Sequence, residues 1–147
     1  MRCVILSTAK NLLAGFFAAL RMTIVRNMPI LGVGTDIVET RRVREMVERS
    51  DGFAERVFTP SELEYSLSKR SRYLHLAARF AAKEAVAKAL GQSFSWQDVE
   101  MVNGHNGKPV VNLHGRAKEV AGSARVHLSV SHTKNYASAV AVVEVGE

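Results

Sequence analysis

The sequence predicts an α+β domain in which an antiparallel sheet packs against one long central helix. Three observations carry this. Ala77 to Leu90 is an alanine-rich stretch closed by Gly91, the strongest helix former in the chain. Ile30 to Val38, Arg125 to Ser131 and Tyr136 to Val145 alternate in the manner of strands. Two dense turn signals, Asn103-Gly-His-Asn-Gly-Lys-Pro109 and Ser131-His-Thr-Lys-Asn135, are of the kind that close hairpins.

Residues 1 to 28 read differently from the rest. They carry Arg2, Lys10, Arg21 and Arg26, no acidic residue, and an apolar run from Leu12 to Leu20. That run is too short to span a bilayer, and Lys10 after Val4-Ile5-Leu6 spoils the order of a secretory signal. The segment reads as a dispensable leader or as a start assigned too early, with Met28 the natural first residue. An ordered helix packed on the domain and a targeting or membrane-surface segment are the alternatives. Residues 29 to 147 then form the one domain.

Within that domain, Ile30 to Val38 is a strand whose Gly32 and Gly34 permit close approach of another backbone or of a ligand. Asp36 interrupts its apolar run, and capping the next helix is the ordinary role for such a residue. Thr40 to Ser50 is a short helix with Val43, Met46 and Val47 on one side and Arg41, Arg42, Arg44 and Arg49 elsewhere. Glu45 and Glu48 can pair with several of these arginines, giving either a solvated salt-bridged face or a docking surface for an acidic partner. Phe58-Thr-Pro-Ser-Glu62 starts a helix running to about Ser68, with Thr59 as cap, Pro60 in the first turn and Glu62 closing a capping box. After the basic break Lys69-Arg-Ser-Arg72, the long helix begins near Tyr73. Trp96 to Val102 and Val110 to Leu113 form a hairpin, Gly115 to Val120 a short helical turn, and the last two strands a second hairpin.

The long helix holds the first chemical clue. At about 100° per residue, Leu76, Ala77, Phe80 and Ala87 mark an apolar stripe, and Glu84 falls inside it with Lys88 one turn on. A carboxylate there needs a cation, a metal or a donor. An i,i+4 pair of Glu84 with Lys88 on a solvated face is the simpler reading.

Composition narrows the chemistry. With 47% hydrophobic and 23% charged residues the chain is that of an ordinary globular protein, and it has no internal repeat. The single Cys3 excludes an internal disulfide and a cysteine zinc cluster, and fits a reducing, intracellular setting. Net charge is +6, but the four cations before Asp36 leave +2 for residues 29 to 147. The high pI is therefore a weak argument for nucleic-acid binding. Asp36, Glu84 and Lys88, with a Ser-His-Thr-Lys turn, suit Mg²⁺ held jointly with substrate phosphates. A P-loop, a dinucleotide fingerprint and a G-x-S-x-G elbow are all missing. The residues alone thus reach a Mg²⁺-dependent enzyme acting on a phosphate or pyrophosphate, and no further.

At these positions the sequence resembles the holo-acyl-carrier-protein synthases, the small trimeric class of 4′-phosphopantetheinyl transferases. The matching segments are Gly32-Val-Gly-Thr-Asp-Ile-Val-Glu39, Phe58-Thr-Pro-Ser-Glu62, Ala78-Arg-Phe-Ala-Ala-Lys-Glu-Ala85 with Lys88 and Gly91, Asn106-Gly-Lys-Pro109, and Leu128-Ser-Val-Ser-His132. The resemblance implies the phosphopantetheinyl transferase fold and transfer of the phosphopantetheine arm from coenzyme A to a serine of an apo acyl carrier protein. It implies that Asp36 and Glu84 hold Mg²⁺ and that Lys88 reaches the phosphates. The coenzyme-binding positions are matched by Arg79, Lys88, Gly91, Pro109, Ser131, His132 and Thr133. It further implies a cytoplasmic homotrimer that docks the acidic carrier near Arg42, with no nucleic-acid or membrane partner. It leaves the general base open. Two departures stand out: Thr40 replaces a usual aliphatic residue, and the family starts within a few residues of the first strand. Other classes are a basic RNA-binding module, motivated by Lys69 to Arg72 but lacking an aromatic stacking motif, and a non-catalytic carrier-binding protein. The intact Asp36, Glu84 and Lys88 speak against the second.

Overall fold

A computed structural model describes residues 29 to 145 of the chain. The expectation for the leader lies outside the described residues. Strand β1 (Ile30–Glu39) runs into helix α1 (Thr40–Arg49), followed by α2 (Phe53–Val57), α3 (Pro60–Leu67) and the long α4 (Arg72–Leu90). The second half is a hairpin of β2 (Val99–Asn103) and β3 (Pro109–Leu113), helix α5 (Gly115–Ala121), and a hairpin of β4 (Arg125–His132) and β5 (Tyr136–Glu144).

The expected antiparallel sheet is two sheets. One has the order β1-β5-β4, and β2-β3 stands apart as a two-stranded ribbon. In the first, Gly34 pairs with Ala141, Asp36 with Ala139 and Val38 with Ala137. Strand alternation therefore gives one face Gly32, Gly34, Asp36 and Val38 beside Ala137, Ala139, Ala141 and Val143, and α4 lies on that face. The alanines at 77, 78, 81, 82, 85 and 89 are the buried side of α4.

Small residues on both surfaces bring backbone against backbone. A Cβ added at Gly34 would stand 2.0 Å from the carbonyl oxygen of Ala85, and one at Gly32 equally close to that of Ala89. Backbone approach, not a ligand, is thus what these two glycines serve. Bulk is supplied around the seam by Phe58, Leu76, Val43, Val86, Val99 and Val143, all fully buried, each worth about 1.5–3 kcal/mol of transfer free energy.

The capping box forms as expected: Thr59 accepts from the Glu62 amide and the Glu62 carboxylate accepts from the Thr59 amide, at 2.9 Å. Three expectations change. Trp96 to Asp98 is a single 3₁₀ turn preceding β2 rather than part of the strand. Of the apolar stripe, Leu76 and Ala77 are fully buried, whereas Phe80 and Ala87 are only half-buried because the sheet takes the alanine side of the helix. Asp36 is no helix cap, since Glu39 stands at the α1 cap position and Asp36 remains within β1. The turn before β3 needs left-handed backbone at Asn106 (φ 58°) and Gly107 (φ 74°), which explains its Asn-Gly pair. No helix among the described residues is long and apolar enough to cross a membrane.

Candidate active site

The close seam between β1 and α4 decides where the charged side chains meet. Asp36 projects from the same strand face as Gly34, and Lys88 rises from the last turn of α4 opposite it. Lys88 Nζ donates to Asp36 Oδ1 at 2.8 Å and to the Thr35 carbonyl at 3.0 Å. Its partner on the helix is therefore not Glu84, as simple i,i+4 pairing would have it. The Asp36 hydrogen bond holds Lys88 above its usual value, and the Glu84 carboxylate adds to that from close by. Glu84 itself is half-buried and has no ion-pair or hydrogen-bond partner among the described residues. Two carboxylates and an ammonium converge here, one carboxylate unpartnered and the other holding the lysine by a single oxygen.

Beside Glu84 opens a groove of about 270 Å³ between α4 and the segment entering β2, lined by Ala87, Phe94, Trp96 and Val99. Phe80 stacks on Trp96 with centroids 5.1 Å apart and fixes that wall. A wider cleft of about 530 Å³ lies at the corner of β1 and α1, between Arg41, Arg44, Tyr73, Lys134 and Tyr136. It contains none of Asp36, Glu84 and Lys88.

The other residues singled out by sequence fall in three places. Arg79 is 2% exposed on α4, with its guanidinium carbon 4.3 Å from the Tyr65 ring centre and Nη1 donating to the His75 carbonyl at 3.3 Å. Its Nε is buried with no partner among the described residues, and burial pushes the group down from its usual value. Burial first, then the nearby Arg79, His132 and Lys69, hold His75 below the ordinary imidazole range. Ser131 and His132 end β4 and are exposed, and the turn hydrogen bonds fall to Thr133 Oγ1, which accepts from the amides of Asn135 and Tyr136. Gly91 caps α4 in the left-handed region (φ 67°), and Pro109 opens β3 in the separate ribbon. Neither contacts the Asp36 cluster by a hydrogen bond among the described residues.

Two features went unread in the sequence. Lys83, immediately before Glu84, is buried in an ion pair with Glu62 at 2.8 Å. Glu100 accepts from Ser61, Thr59 and Asn112 and lies 3.4 Å from His114 Nε2. The Ser61 hydroxyl first, then Asn112, Thr59 and His114, hold its carboxyl at about 2. On α1, Arg41 pairs with Glu39 and Glu45, and Arg44 with Glu48. Arg42 is exposed and has no ion pair among the described residues.

Residues 32 to 141 match the family model of the 4′-phosphopantetheinyl transferase superfamily. A holo-[acyl-carrier-protein] synthase of Caldanaerobacter subterraneus is 45% identical over 121 residues, covering 78% of this chain and 95% of that one. A crystal structure of the holo-(acyl-carrier-protein) synthase of Bacillus anthracis, in complex with CoA (3′,5′-ADP), superposes with a TM-score of 0.69 at 34% identity. That match covers 80% of this chain and 98% of the other. The holo-ACP synthase of Plasmodium yoelii gives a TM-score of 0.72 at 34% identity over 81% and 98% of the two chains. Family model, sequence relatives and fold agree with one another, and the chain belongs to the holo-acyl-carrier-protein synthases of the 4′-phosphopantetheinyl transferase superfamily.

Proposed function

We infer that this chain transfers the 4′-phosphopantetheine arm of coenzyme A to a serine of an apo acyl carrier protein, releasing adenosine 3′,5′-bisphosphate. The observation that carries the reading is the junction of Asp36, Glu84 and Lys88 across the β1–α4 seam, in a chain whose relatives are holo-acyl-carrier-protein synthases. The reaction breaks a pyrophosphate linkage as the serine oxygen attacks phosphorus, so negative charge develops on the leaving phosphate. The residues needed are those that bind, orient and neutralise.

We propose Mg²⁺ as the cofactor, and the donor set fits it. Asp36 and Glu84 offer hard carboxylate oxygens from facing elements, and Lys88 takes only Oδ1 of Asp36, leaving Oδ2. Among the described residues no group of three or more His, Cys, Asp or Glu assembles. An ion held by two carboxylates would fill its remaining positions with water and substrate phosphate, as Mg²⁺ commonly does. When bound it supplies charge neutralisation at the pyrophosphate. Lys88, half-exposed and held in its charged form by Asp36, can move its ammonium from the carboxylate onto a phosphate oxygen without leaving the site. The groove beside Glu84 receives the coenzyme, the exposed Ser131, His132 and Thr133 are offered to its phosphates, and Arg79, buried against Tyr65, supports the site from inside.

Carrier docking is assigned to α1, where Arg42 and Arg49 are exposed and have no ion pair among the described residues. Arg42, which matches the family's basic position, is the proposed contact for the acidic carrier. We further propose a homotrimer working in the cytoplasm. Support for self-association comes from the sheet face away from α4, where Leu31, Val33 and Ile37 are 60%, 62% and 68% exposed and Val140 42%. Apolar surface of that continuity marks an association site. The test is incubation with coenzyme A, Mg²⁺ and an apo acyl carrier protein, read by intact mass. A carrier heavier by one phosphopantetheine is expected. An unchanged carrier, with a known synthase active on the same sample, would refute the reading.

A further inference from the structure

The buried ion pair behind the site has no part in the reaction as derived above. Lys83 and Glu62 side chains are 1% and 0% exposed, and their charges meet at 2.8 Å. Lys83 Nζ also donates to the Trp96 carbonyl at 2.9 Å and to the Val99 carbonyl. Glu62 accepts from the Thr59 amide through Oε2 and from the Met101 amide through Oε1, both at 2.9 Å. One buried point thereby ties α3, α4 and the start of β2 together. A pair so deeply buried is poorly explained by stability, because desolvation offsets most of its Coulombic gain and apolar replacements of similar size are often neutral or better.

The geometry shows what the pair does hold. Trp96 and Val99, whose carbonyls Lys83 grips, form the wall of the groove that faces Glu84. Helix α4 is fixed by its packing on the sheet, whereas the stretch from Gly91 to Asp98 is a cap, a loop and one 3₁₀ turn with no strand partner of its own. Gln97 Nε2 ties this stretch to the Glu55 and Phe58 carbonyls, and the Asp98 carbonyl accepts from the His114 amide. Beyond the Gly91 cap bond to Ala87, however, its hold on α4 itself comes from the Lys83 ammonium and the Phe80–Trp96 stack. We propose that Lys83, neutralised by Glu62, is a positioning residue that sets the width of the coenzyme groove by clamping Trp96 and Val99 against α4. This rests on the reading that the groove beside Glu84 receives coenzyme A.

The paired substitution Glu62→Gln with Lys83→Met removes both charges, leaves no unpaired ion, and keeps an amide oxygen for the Thr59 or Met101 amide. Trp96 is the only tryptophan in the chain, so its emission reports the groove wall directly. Expected for the folded double variant are stronger acrylamide quenching of Trp96 and a KM for coenzyme A raised at least tenfold, with the KM for the carrier unchanged. A folded double variant with parental quenching and parental KM for coenzyme A would overturn the proposal. Turnover by the parent chain in the same assay separates this from failure of the functional reading. If the double variant does not fold, hydrogen exchange on the parent protein decides. Amides of 96 to 99 protected like the core of α4 before coenzyme is added support the clamp. Loop-like exchange there, slowed only by coenzyme A, overturns it.

Discussion

Replacing Gly34 by Ala tests the seam on which the site depends. The added Cβ would lie 2.0 Å from the Ala85 carbonyl oxygen, 2.6 Å from the Ala89 amide nitrogen and 2.9 Å from Lys88 Cβ. Real Cβ contacts essentially never fall below 3.0 Å, so strand and helix must separate by about 1 Å, and the obstacle is backbone that cannot rotate away. Overpacking of this kind costs about 1–3 kcal/mol, at the upper end when no side chain can yield. Gly34 is not in the left-handed region, so alanine also gains about 0.4–1 kcal/mol through the unfolded chain. The steric term wins, leaving a net loss of about 2 kcal/mol. For a domain of this size that lowers Tm by about 8 °C. Asp36 lies two residues along the same face, so a 1 Å separation stretches its 2.8 Å contact with Lys88 beyond hydrogen-bond range. Misplacement of that order costs about 100-fold in turnover. Thermal melts by circular dichroism, beside transfer of phosphopantetheine measured by intact mass, read both effects. A Gly34→Ala protein within 0.5 kcal/mol of the parent (~0.5, inside the usual scatter for a neutral change) and with parental turnover would refute the backbone-contact argument.

Four further outcomes are expected. Glu84→Gln keeps the shape and removes a charge, so Mg²⁺ affinity and turnover should fall together while the melt without Mg²⁺ does not drop; full Mg²⁺-dependent activity in this variant would sink the assignment. Arg42→Ala should raise the KM for the carrier and weaken its salt dependence, leaving the KM for coenzyme A nearly unmoved; an unaltered carrier KM would leave α1 without a docking role. Thr40 Oγ1 is buried with no partner among the described residues, so Thr40→Val should stabilise by about 1 kcal/mol, seen as a Tm raised by a few degrees. Glu100 is held at about 2 against an ordinary 4.5. Because its folded value is depressed, the stability it confers is complete above 4.5 and is lost as pH falls from there toward 2; acid unfolding of Glu100→Gln should show less loss across that window.

Much of the fold was legible because local rules and global structure agree. Thr59-Pro60-Ser61-Glu62 is a cap in any context, and it is one here. The strands were found from alternation and the long helix from its alanines, but the division into two sheets was not, since nothing local says which hairpin joins β1. The five residues of α2 are too few to show a period. Asp36, Glu84 and Lys88 were found from charge within apolar runs, but the contact between Lys88 and Asp36 was not foreseen. Helical spacing offers Lys88 only Glu84, while its actual partner is 52 residues away across a glycine seam. Lys83 went unnoticed for a related reason. Its counterion Glu62 already had a local role in the capping box, and no sequence signal announces that one carboxylate serves both.

The alternation of β1 has a genetic consequence. Even positions carry Gly34, Asp36 and Val38 toward α4, while the odd positions Leu31, Val33 and Ile37 form the bare apolar side. The two faces share a backbone but not a surface, so point substitutions on one leave the other nearly untouched. Changes of length have no such freedom. An in-frame loss of the Thr35 codon would turn Asp36 out onto the apolar side and drive Ile37 into the place where Lys88 waits for a carboxylate, since a one-residue slip inverts every later side chain. The carboxylate at the seam and the continuous apolar face would be lost together in a single event. Among natural variants this strand should therefore accumulate substitutions on its outer face and almost no insertions or deletions between Gly32 and Glu39.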